Sequence, residues 1–337
     1  MSSRVVVIAE AGVNHNGDLD TAKALIDVAV RSGADFVKFQ TFTADTLATP
    51  DAPTARYQKK AMENSQDTQK SMLSKLELSE SQHIELKSYA EAKGISFLST
   101  GFDIASIDLL YRLGIRLFKI PSGELTNLPF LEHIASLGCP VYLSTGMATL
   151  EEVRWAVDAL VQAGQHRDNI SILHCTTAYP TPLDQANLLA IKTLSSELGL
   201  TVGYSDHTLG TEAAIAAVAL GARIIEKHFT LSRDQAGPDH KASLEPDELE
   251  SLIESIRALE NSWGDGNKTP QDCELENIPI ARKSIVARTG IAKGDLFSPE
   301  NLTTKRPGTG LSPIHWHKVI GRRAMKDFAP EEGIEIE

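Results

Sequence analysis

The feature that most constrains the fold is a regular alternation of short β-rich runs with helical segments. Each run is rich in β-branched and aromatic residues, and several of the helical segments end in Gly just before the next run. The eight predicted strands are RVVVIAE, DFVKFQT, ISFLST, IRLFKIPSG, PVYLSTG, ISILHCTT, LTVGYSD and ARIIEKHF. Eight strands alternating with helices are what a closed (β/α)8, or TIM, barrel requires.

An open, doubly wound sheet is the alternative α/β arrangement. That fold usually carries a glycine-rich phosphate-binding fingerprint after its first strand, and AEAGVNHNG does not match it. The sequence therefore favours the barrel. Its longest insertion, residues 41–79, is polar and contains two prolines, which predicts a mobile excursion over one end of the barrel.

The C-terminal part of the chain differs in composition and lacks the alternation of strands and helices. Residues 261–280 are rich in Gly, Pro and charge, which is typical of a linker. Residues 281–337 consist of short segments separated by Gly and Pro. They are too few in number, and their helical pattern is too weak, to add further β/α units to a barrel. The predicted organisation is a barrel over residues 1–260, a linker over 261–280 and a small β-rich domain over 281–337.

Charge and cysteine content exclude several classes of protein. A net charge of −12 argues against a nucleic-acid partner, although lysines converging in a pocket can still bind a small anion. Cys139, Cys175 and Cys273 are odd in number and widely spaced, which favours free thiols in a reducing cytoplasm. The N-terminal apolar run is too short for a signal peptide, and no stretch is long enough to span a membrane.

Polar side chains end the predicted strands, although the residues before them are apolar. In a (β/α)8 barrel the active site forms at the carboxyl ends of the strands. The candidate residues there are Glu10, Lys38, Gln40, Thr100, Lys119, Ser122, Glu124, Ser144, Thr177, Tyr179, Ser205, His207 and His228. Packing does not explain such a set, so we expect a functional site at this end.

His207 and His228 end strands seven and eight, which are neighbours in the predicted barrel. One strand-end histidine is typical of a solvated or hydrogen-bonded side chain, but two on adjacent strands lie about 5 Å apart. That separation suits two imidazole ligands on one octahedral divalent ion. Since no thiolate is expected nearby, Mn²⁺, Mg²⁺ or Co²⁺ fits better than structural zinc.

Lys38 and Lys119 indicate an anionic ligand. A lysine inside a barrel is costly without an anion, although both side chains could instead be ion-paired or reach solvent. Ser122, Ser144 and Ser205 could simply cap helices, but hydroxyls and helix N-termini at this end of a barrel also bind phosphate. Together these residues and the two histidines predict a phosphorylated substrate beside a Lewis acid.

Nine motifs occur in the order found in the bacterial sialic acid synthase family, which the chain resembles over essentially its whole length. They are EAGVNHNG, VKFQT, FKIPSGE, LSTGM, HCTTAYPTP, GYSDHTLG, EKHFT, GPDHKASLEP and KRPGTG. The tail resembles the antifreeze-like (SAF) domain of that family. The resemblance implies a metal-dependent enzyme that condenses phosphoenolpyruvate with an N-acetylated mannose-type sugar to give a 2-keto acid and phosphate.

The resemblance also implies roles for individual residues. His207 and His228 correspond to the metal ligands, and Glu10 to a catalytic carboxylate. The phosphoenolpyruvate-binding set is Lys38, Thr100, Lys119, Ser122, Ser144 and Ser205, and the sugar-binding set is Gln40, Glu124, Thr177, Tyr179, Asp239 and Arg306. Arg306 would reach the partner's site in a domain-swapped homodimer; a surface arginine on a tethered domain is the alternative.

Position 177 bears on which sugar the enzyme would use. Some N-acetylneuraminate synthases carry Asn where this chain has Thr177, so this position bears on the choice of sugar rather than on the reaction. N-acetylmannosamine is the expected substrate, with the 2,4-diacetamido-2,4,6-trideoxymannose precursor of N,N'-diacetyllegionaminate and a pseudaminate precursor as alternatives. Two other classes remain open: a Schiff-base aldolase using Lys119 or Lys227, and a non-catalytic carbohydrate- or ice-binding protein.

Overall fold

Eight parallel strands close into a barrel in sequential order, with each strand paired to the next and β8 paired to β1. The computed structural model describes residues 4–47, 49 and 68–336. The strands are β1 (Val6–Gly12), β2 (Phe36–Thr41), β3 (Ser96–Gly101), β4 (Phe118–Ile120), β5 (Val141–Ser144), β6 (Ile170–Cys175), β7 (Thr201–Asp206) and β8 (Ile224–His228). The prediction of a closed (β/α)8 barrel is confirmed.

Amphipathic helices surround the barrel and bury one face each. In α1 (Leu19–Arg31) the buried residues Ala22, Leu25, Ile26 and Ala29 recur at helical spacing, and Asp18 caps the first turn by accepting a hydrogen bond from Thr21. The other helices of this unit are α2 (Ala44–Leu47), α3 (Gln69–Ser74), α4 (Glu80–Ala92), α5 (Ile104–Arg112), α6 (Leu128–Ser136), α7 (Leu150–Gln162), α8 (Ala190–Leu198), α9 (Glu212–Ala219) and α10 (Pro246–Ser262). No helix in the described part of the chain combines the length and apolarity needed to cross a bilayer.

The insertion after β2 begins with α2 and ends with α3. Its central part, residues 48 and 50–67, lies outside the described residues, and the predicted excursion falls largely there. Met72, Leu73 and Leu76 of its C-terminal part form a small separate apolar cluster with Val13 and Phe42. This cluster fixes the described ends of the insertion beside the segment that follows β1.

The chain divides into two compact units, Met1–Trp263 and Gly264–Glu337. The second unit has its own apolar core, which includes Ile285, Phe297 and Phe328. It contains α11 (Asp272–Leu275), α12 (Asn277–Ala281), the antiparallel strands β9 (Ser284–Ala287) and β10 (Leu302–Lys305), and α13 (Trp316–Val319). The segment 261–280 thus completes α10 and carries two short helices.

Candidate active site

A cavity of about 160 Å³ opens at the carboxyl ends of the barrel strands. Strand alternation explains its lining, because residues two apart on one strand point to the same face. Twelve of the residues predicted from the sequence line it: Glu10, Lys38, Gln40, Thr100, Lys119, Ser122, Ser144, Thr177, Tyr179, Ser205, His207 and His228. The structure therefore brings most of the predicted set together.

Three predicted residues do not line this cavity. Glu124 ends a short 3₁₀ turn at the rim, where its Oε2 accepts a hydrogen bond from Asn127 Nδ2 at 2.6 Å. Asp239 is buried in the segment after β8, and burial raises the pKa of its carboxyl to about 6. Arg306 belongs to the second compact unit, where its exposed side chain donates from Nε to the carbonyl of Ala281 at 2.9 Å.

Glu226 and Cys175 line the cavity but were missed by the sequence analysis. Strand alternation predicts that both side chains face the cavity, because Glu226 lies two residues before His228 and Cys175 two residues before Thr177. The expectation that no thiol lies near the histidines was wrong. Cys175 Sγ is 3.7 Å from His207 Nδ1, because β6 and β7 are neighbours in the barrel.

Four buried charged side chains form the floor of the cavity. Glu10 Oε2 is 2.5 Å from Lys38 Nζ, and Glu226 Oε1 is 2.7 Å from Lys119 Nζ. Lys38 also lies 3.5 Å from Glu226 Oε2 and donates to Thr100 Oγ1 at 2.6 Å. Since two lysines oppose two carboxylates, the formal charge of this cluster is zero, and each buried charge has a partner.

The two carboxyl groups of the cluster differ in proton affinity. Burial raises the pKa of Glu10 to about 7, and although Lys38 opposes this, the negative charge of Glu226 adds to it. Burial alone would also raise the pKa of Glu226, but the charges of Lys119 and Lys38 reverse the effect and hold it well below its usual range. Glu10 is therefore the carboxyl of this pair that can gain and lose a proton near neutral pH.

Ser144, Ser122 and Ser205 bring hydroxyl groups to the same cavity. Ser205 Oγ donates to Glu226 Oε1 at 2.8 Å, and Ser122 Oγ accepts from the Gly146 amide at 2.9 Å. Among the described residues, the buried Ser144 Oγ has no hydrogen-bond partner. A buried hydroxyl without a partner, next to two lysines, fits a site that receives an anionic oxygen.

His207 and His228 lie side by side above this floor, with ring centroids 5.5 Å apart. His207 Nδ1 donates to the carbonyl of Thr176 at 2.7 Å, which leaves Nε2 as the nitrogen that could bind a metal. Although burial opposes it, the neighbouring Cys175 and the hydrogen bond to Thr176 raise the pKa of this imidazole, so a metal would compete with a proton at Nε2. The buried Nδ1 of His228 has no hydrogen-bond partner within the described chain. Burial and the neighbouring His207 and Lys38 hold the pKa of His228 well below its usual value, so this imidazole is neutral.

These features fit a divalent metal bound by two imidazoles. Neutral imidazoles are the form that binds metal, and a histidine whose other nitrogen donates to a backbone carbonyl is typical of a ligand. The described residues contain no group of three or more His, Cys, Asp or Glu side chains suited to one ion, so water and substrate would supply the remaining ligands. Gly12 leaves the space open, since a Cβ there would lie 3.2 Å from His228 Cε1 and 3.3 Å from Glu10 Oε1.

The structure also tests the two lysines considered for Schiff-base chemistry. Lys227 does not line the cavity; its side chain is fully buried and paired with Asp206 at 2.8 Å. Lys227 alternates with Glu226 and His228, so it points away from the barrel interior. The proposal of Lys227 as a Schiff-base lysine is therefore wrong, and Lys119 carries an ion pair with Glu226.

Comparisons with known proteins match both compact units. A model described as the NeuB family matches residues 25–268, and a SAF domain model matches residues 282–335. A protein of Campylobacter jejuni named N,N'-diacetyllegionaminic acid synthase is 51% identical over 98% of this chain and 98% of its own length. A Legionella pneumophila protein of the same name is 49% identical over 96% of this chain and 91% of its own length.

A solved structure resembles the chain as well. It is described as an N-acetylneuraminic acid (sialic acid) synthetase from Leptospira borgpetersenii in complex with citrate. It shares 34% sequence identity, with a TM-score of 0.72 over 82% of this chain and 90% of its own.

Proposed function

The chain belongs to the NeuB family of sugar-acid synthases and carries a SAF domain, and from this premise we propose that it makes N,N'-diacetyllegionaminate. The proposed reaction condenses phosphoenolpyruvate with the open-chain form of 2,4-diacetamido-2,4,6-trideoxymannose and water, and it releases phosphate. Family membership is incompatible with an inert carbohydrate- or ice-binding protein, and it favours the condensing reaction over a Schiff-base aldolase.

The observation that carries the choice of sugar is the identity of 51% and 49% with two proteins named N,N'-diacetyllegionaminic acid synthase. The sialic acid synthetase of known structure is 34% identical. This difference favours the diacetamido sugar over N-acetylmannosamine, which the sequence analysis had preferred. Thr177, which lines the cavity, is consistent with the choice because its side chain is smaller and less polar than Asn.

The floor of the cavity supports binding of phosphoenolpyruvate. Lys38 and Lys119 supply positive charge, and Ser144 supplies a hydroxyl without a partner in the described chain. Thr100, Ser122 and Ser205 complete the polar lining. Because Lys38, Lys119 and Ser205 are already held by neighbouring side chains, they need little reorganisation as negative charge moves from the enol phosphate to the departing phosphate.

His207 and His228 would hold a divalent metal, for which we propose Mn²⁺, with Mg²⁺ and Co²⁺ as alternatives. Cys175 Sγ lies 3.7 Å from Nδ1 of His207, which is not the nitrogen proposed to bind the ion. Such an ion supplies Lewis-acid polarisation of the sugar's aldehyde oxygen. Tyr179 packs its ring 4.1 Å from that of His207 and 5.9 Å from that of His228, so it borders the same space. Gln40 and Thr177 line the wall on which we place the sugar. Glu124 follows the lining residue Ser122 by two positions, and Asp239 lies in the segment after β8.

Glu10 is the residue we propose as the proton acceptor. The enol carbon of phosphoenolpyruvate attacks the aldehyde carbon, whose oxygen takes up a proton and becomes a hydroxyl. Water adds to the carbon that bears the phosphate and loses one proton, and the resulting hemiketal loses its hydroxyl proton as it expels phosphate and forms the ketone. The proton of the added water must go to a base, and the pKa of Glu10, about 7, suits this transfer near neutral pH. Lys38, 2.5 Å away, stabilises the ionised form.

We further propose that the SAF domain completes the site of a second chain in a domain-swapped dimer. Residues 282–335, the matched SAF domain, contain ten Lys or Arg and six Asp or Glu, a net charge of +4 that is opposite in sign to the net charge of −12 of the whole chain. Such a basic domain favours contact with an acidic partner surface. Arg306, which is exposed, is the residue we expect to reach the partner's sugar.

The direct test of the reaction is phosphate release by the purified protein from phosphoenolpyruvate and the diacetamido sugar, with the nine-carbon acid identified by mass spectrometry. Removal of metal with EDTA should abolish turnover, and Mn²⁺ should restore it. A variant with His207→Ala and His228→Ala should not recover with any of the three ions. Full activity of that variant would contradict the metal site, and a covalent adduct trapped with borohydride and pyruvate would support an aldolase.

A further inference from the structure

Each of the two histidines follows directly after a buried charged residue that the reaction does not use. Asp206 precedes His207, and Lys227 precedes His228. Their side chains are fully buried, at 0% exposure each, and Lys227 Nζ lies 2.8 Å from Asp206 Oδ2. Neither residue lines the cavity, because both alternate with residues that do. The ion pair thus lies on the outer face of the barrel wall, behind the histidines.

Further hydrogen bonds connect this ion pair to Thr208, the residue that follows His207. Lys227 Nζ also donates to the carbonyl of Thr208 at 2.5 Å, and Asp206 Oδ1 accepts from the amide of Thr208 at 2.8 Å. The residues before and after His207 are therefore both attached to Lys227. Since Lys227 is covalently next to His228, these contacts join the two segments that carry the imidazoles.

The position of the pair in the sheet shows why such a connection is needed. Asp206 and Lys227 are the last paired residues of the β7–β8 ladder. Beyond them no ladder pairing between these two strands holds the backbone of His207 against that of His228. The ion pair therefore lies at the last pair of the ladder, one residue before each histidine.

Stability alone does not account for a buried ion pair at this place. Removing two charges from water costs several kcal/mol each, and well-packed apolar residues of similar size are often as stabilising or more so. A directional contact between two charged groups, by contrast, fixes one geometry, which an apolar contact does not do. The cost of the pair is therefore better explained by positioning than by stability.

We propose that the Asp206–Lys227 pair is a positioning device that sets the separation and orientation of His207 relative to His228, and through them the affinity for the metal. This inference rests on the proposed two-histidine metal site. Hydrogen bonds to metal-binding side chains typically change metal affinity by about 10- to 100-fold when they are removed, and we take the same range for a pair that acts through the backbone of both ligands. Asp206 and Lys227 are positioning residues that touch neither the cavity nor the ion.

The test is Mn²⁺ binding to the metal-free protein, measured by calorimetry and by the electron paramagnetic resonance signal of free Mn²⁺, without substrates. The variant carries Asp206→Asn and Lys227→Met together, so that no buried charge is left without a partner. We expect its Kd for Mn²⁺ to rise about 10- to 100-fold, with a changed visible spectrum when Co²⁺ is bound. An unchanged Kd and spectrum would overturn the inference.

The matched control is an ion pair at the opposite end of the barrel. Arg257 Nη2 lies 2.8 Å from Asp35 Oδ2, and both side chains are partly buried. The variant with Asp35→Asn and Arg257→Met should lower the thermal midpoint and leave the Kd for Mn²⁺ unchanged. Equal loss of Mn²⁺ affinity in both double variants would mean general loosening of the barrel and would contradict a positioning role.

Two further outcomes separate this inference from the proposed function. If the wild-type protein does not bind Mn²⁺, both the metal site and the inference are refuted. If the wild-type protein binds Mn²⁺ and the Asp206→Asn, Lys227→Met variant binds it with the same Kd, only the inference is refuted. If that variant does not fold, Asp206→Asn alone keeps the shape of the side chain and should still weaken Mn²⁺ binding measurably. Wild-type affinity in Asp206→Asn would then overturn the inference.

Discussion

Lys119 Nζ donates to Glu226 Oε1 across the floor of the barrel at 2.7 Å, so a lysine expected to bind substrate phosphate already has an anionic partner. Glu226 also lies 3.5 Å from Lys38, the second such lysine. An incoming phosphoenolpyruvate therefore meets a cluster of zero formal charge rather than two free cations. Glu226 keeps the lysines ordered, at the cost of part of their attraction for the substrate.

Replacing Glu226 by Gln should tighten binding of phosphoenolpyruvate in the absence of sugar. The change removes one negative charge from the cluster and leaves an oxygen that can still accept from Lys119. A change of one unit charge this close is expected to lower the Kd roughly tenfold. Calorimetry checks this, with the exposed Glu85→Gln as a control that should not alter the Kd. Weaker binding in Glu226→Gln would mean that ordering of the lysines matters more than their charge.

The pH dependence of kcat/KM should report the ionisation of Glu10. The raised pKa of this carboxyl, about 7, means that the basic form becomes populated as the pH rises through 7. If Glu10 accepts the proton of the added water, kcat/KM for phosphoenolpyruvate rises with pH up to this point and then levels off. Glu10→Gln should lose about 10²- to 10⁴-fold in rate and lack this inflection. An inflection near pH 7 that persists in Glu10→Gln would assign it to another group.

Two buried histidines outside the cavity make the barrel sensitive to acid. Burial lowers the pKa of His15 to about 4, helped by the nearby His83 and His240, and burial lowers that of His240 to about 4. Above pH 6.5 both residues are neutral in folded and unfolded chains. Between pH 6.5 and 4 these two histidines bind protons in the unfolded chain but not in the folded chain, so their contribution to the free energy of unfolding falls as the pH falls and levels off below pH 4.

Each histidine should contribute a loss of about 1–2 kcal/mol at pH 5. Urea unfolding of the barrel at pH 7.5 and pH 5 measures the total change. In His240→Gln, which keeps a polar group beside Thr230, the difference between the two pH values should be smaller. Because the raised pKa values of Glu10 and Asp239 act in the opposite direction over the same pH range, the deciding comparison is between the two proteins. An equal change in the wild type and in His240→Gln would show that His240 titrates normally.

A mixture of two inactive variants tests the domain-swapped dimer. An Arg306→Ala chain and a His207→Ala chain are each expected to be nearly inactive. In a swapped heterodimer one site carries both defects and the other carries neither, so mixing should restore up to about half of the activity per heterodimer. Native mass spectrometry confirms that the heterodimer forms. Heterodimer formation without recovery would mean that each SAF domain serves its own barrel.

Strand alternation made most of the site predictable from the sequence. It identified residues such as Lys38, Ser205 and His207, because the carboxyl ends of consecutive strands meet at one end of a barrel. Alternation from His228 also places Glu226 on the cavity face of strand eight and Lys227 on the opposite face, so both positions can be predicted from the sequence. Cys175 is one of three widely spaced cysteines, a pattern that indicates only a free thiol; its place beside His207 follows from the pairing of β6 with β7.

Other parts of the site could not be derived from alternation. The ion pair between Glu10 and Lys38 depends on the register between β1 and β2, which shifts between Glu10 and Gly12. Asp239 lies in an irregular segment, where no periodicity determines the direction of a side chain. The neutral floor of the cavity follows from these pairings, so it required coordinates.

The most direct test of the proposed function is a competition between the two sugars. The purified protein, loaded with Mn²⁺, is given limiting phosphoenolpyruvate and equal concentrations of 2,4-diacetamido-2,4,6-trideoxymannose and N-acetylmannosamine. Mass spectrometry of the two nine-carbon acids gives the ratio of kcat/KM values in a single reaction. We predict that N,N'-diacetyllegionaminate exceeds N-acetylneuraminate at least tenfold, which corresponds to about 1.4 kcal/mol in transition-state binding. A product mixture dominated by N-acetylneuraminate would contradict the proposed function.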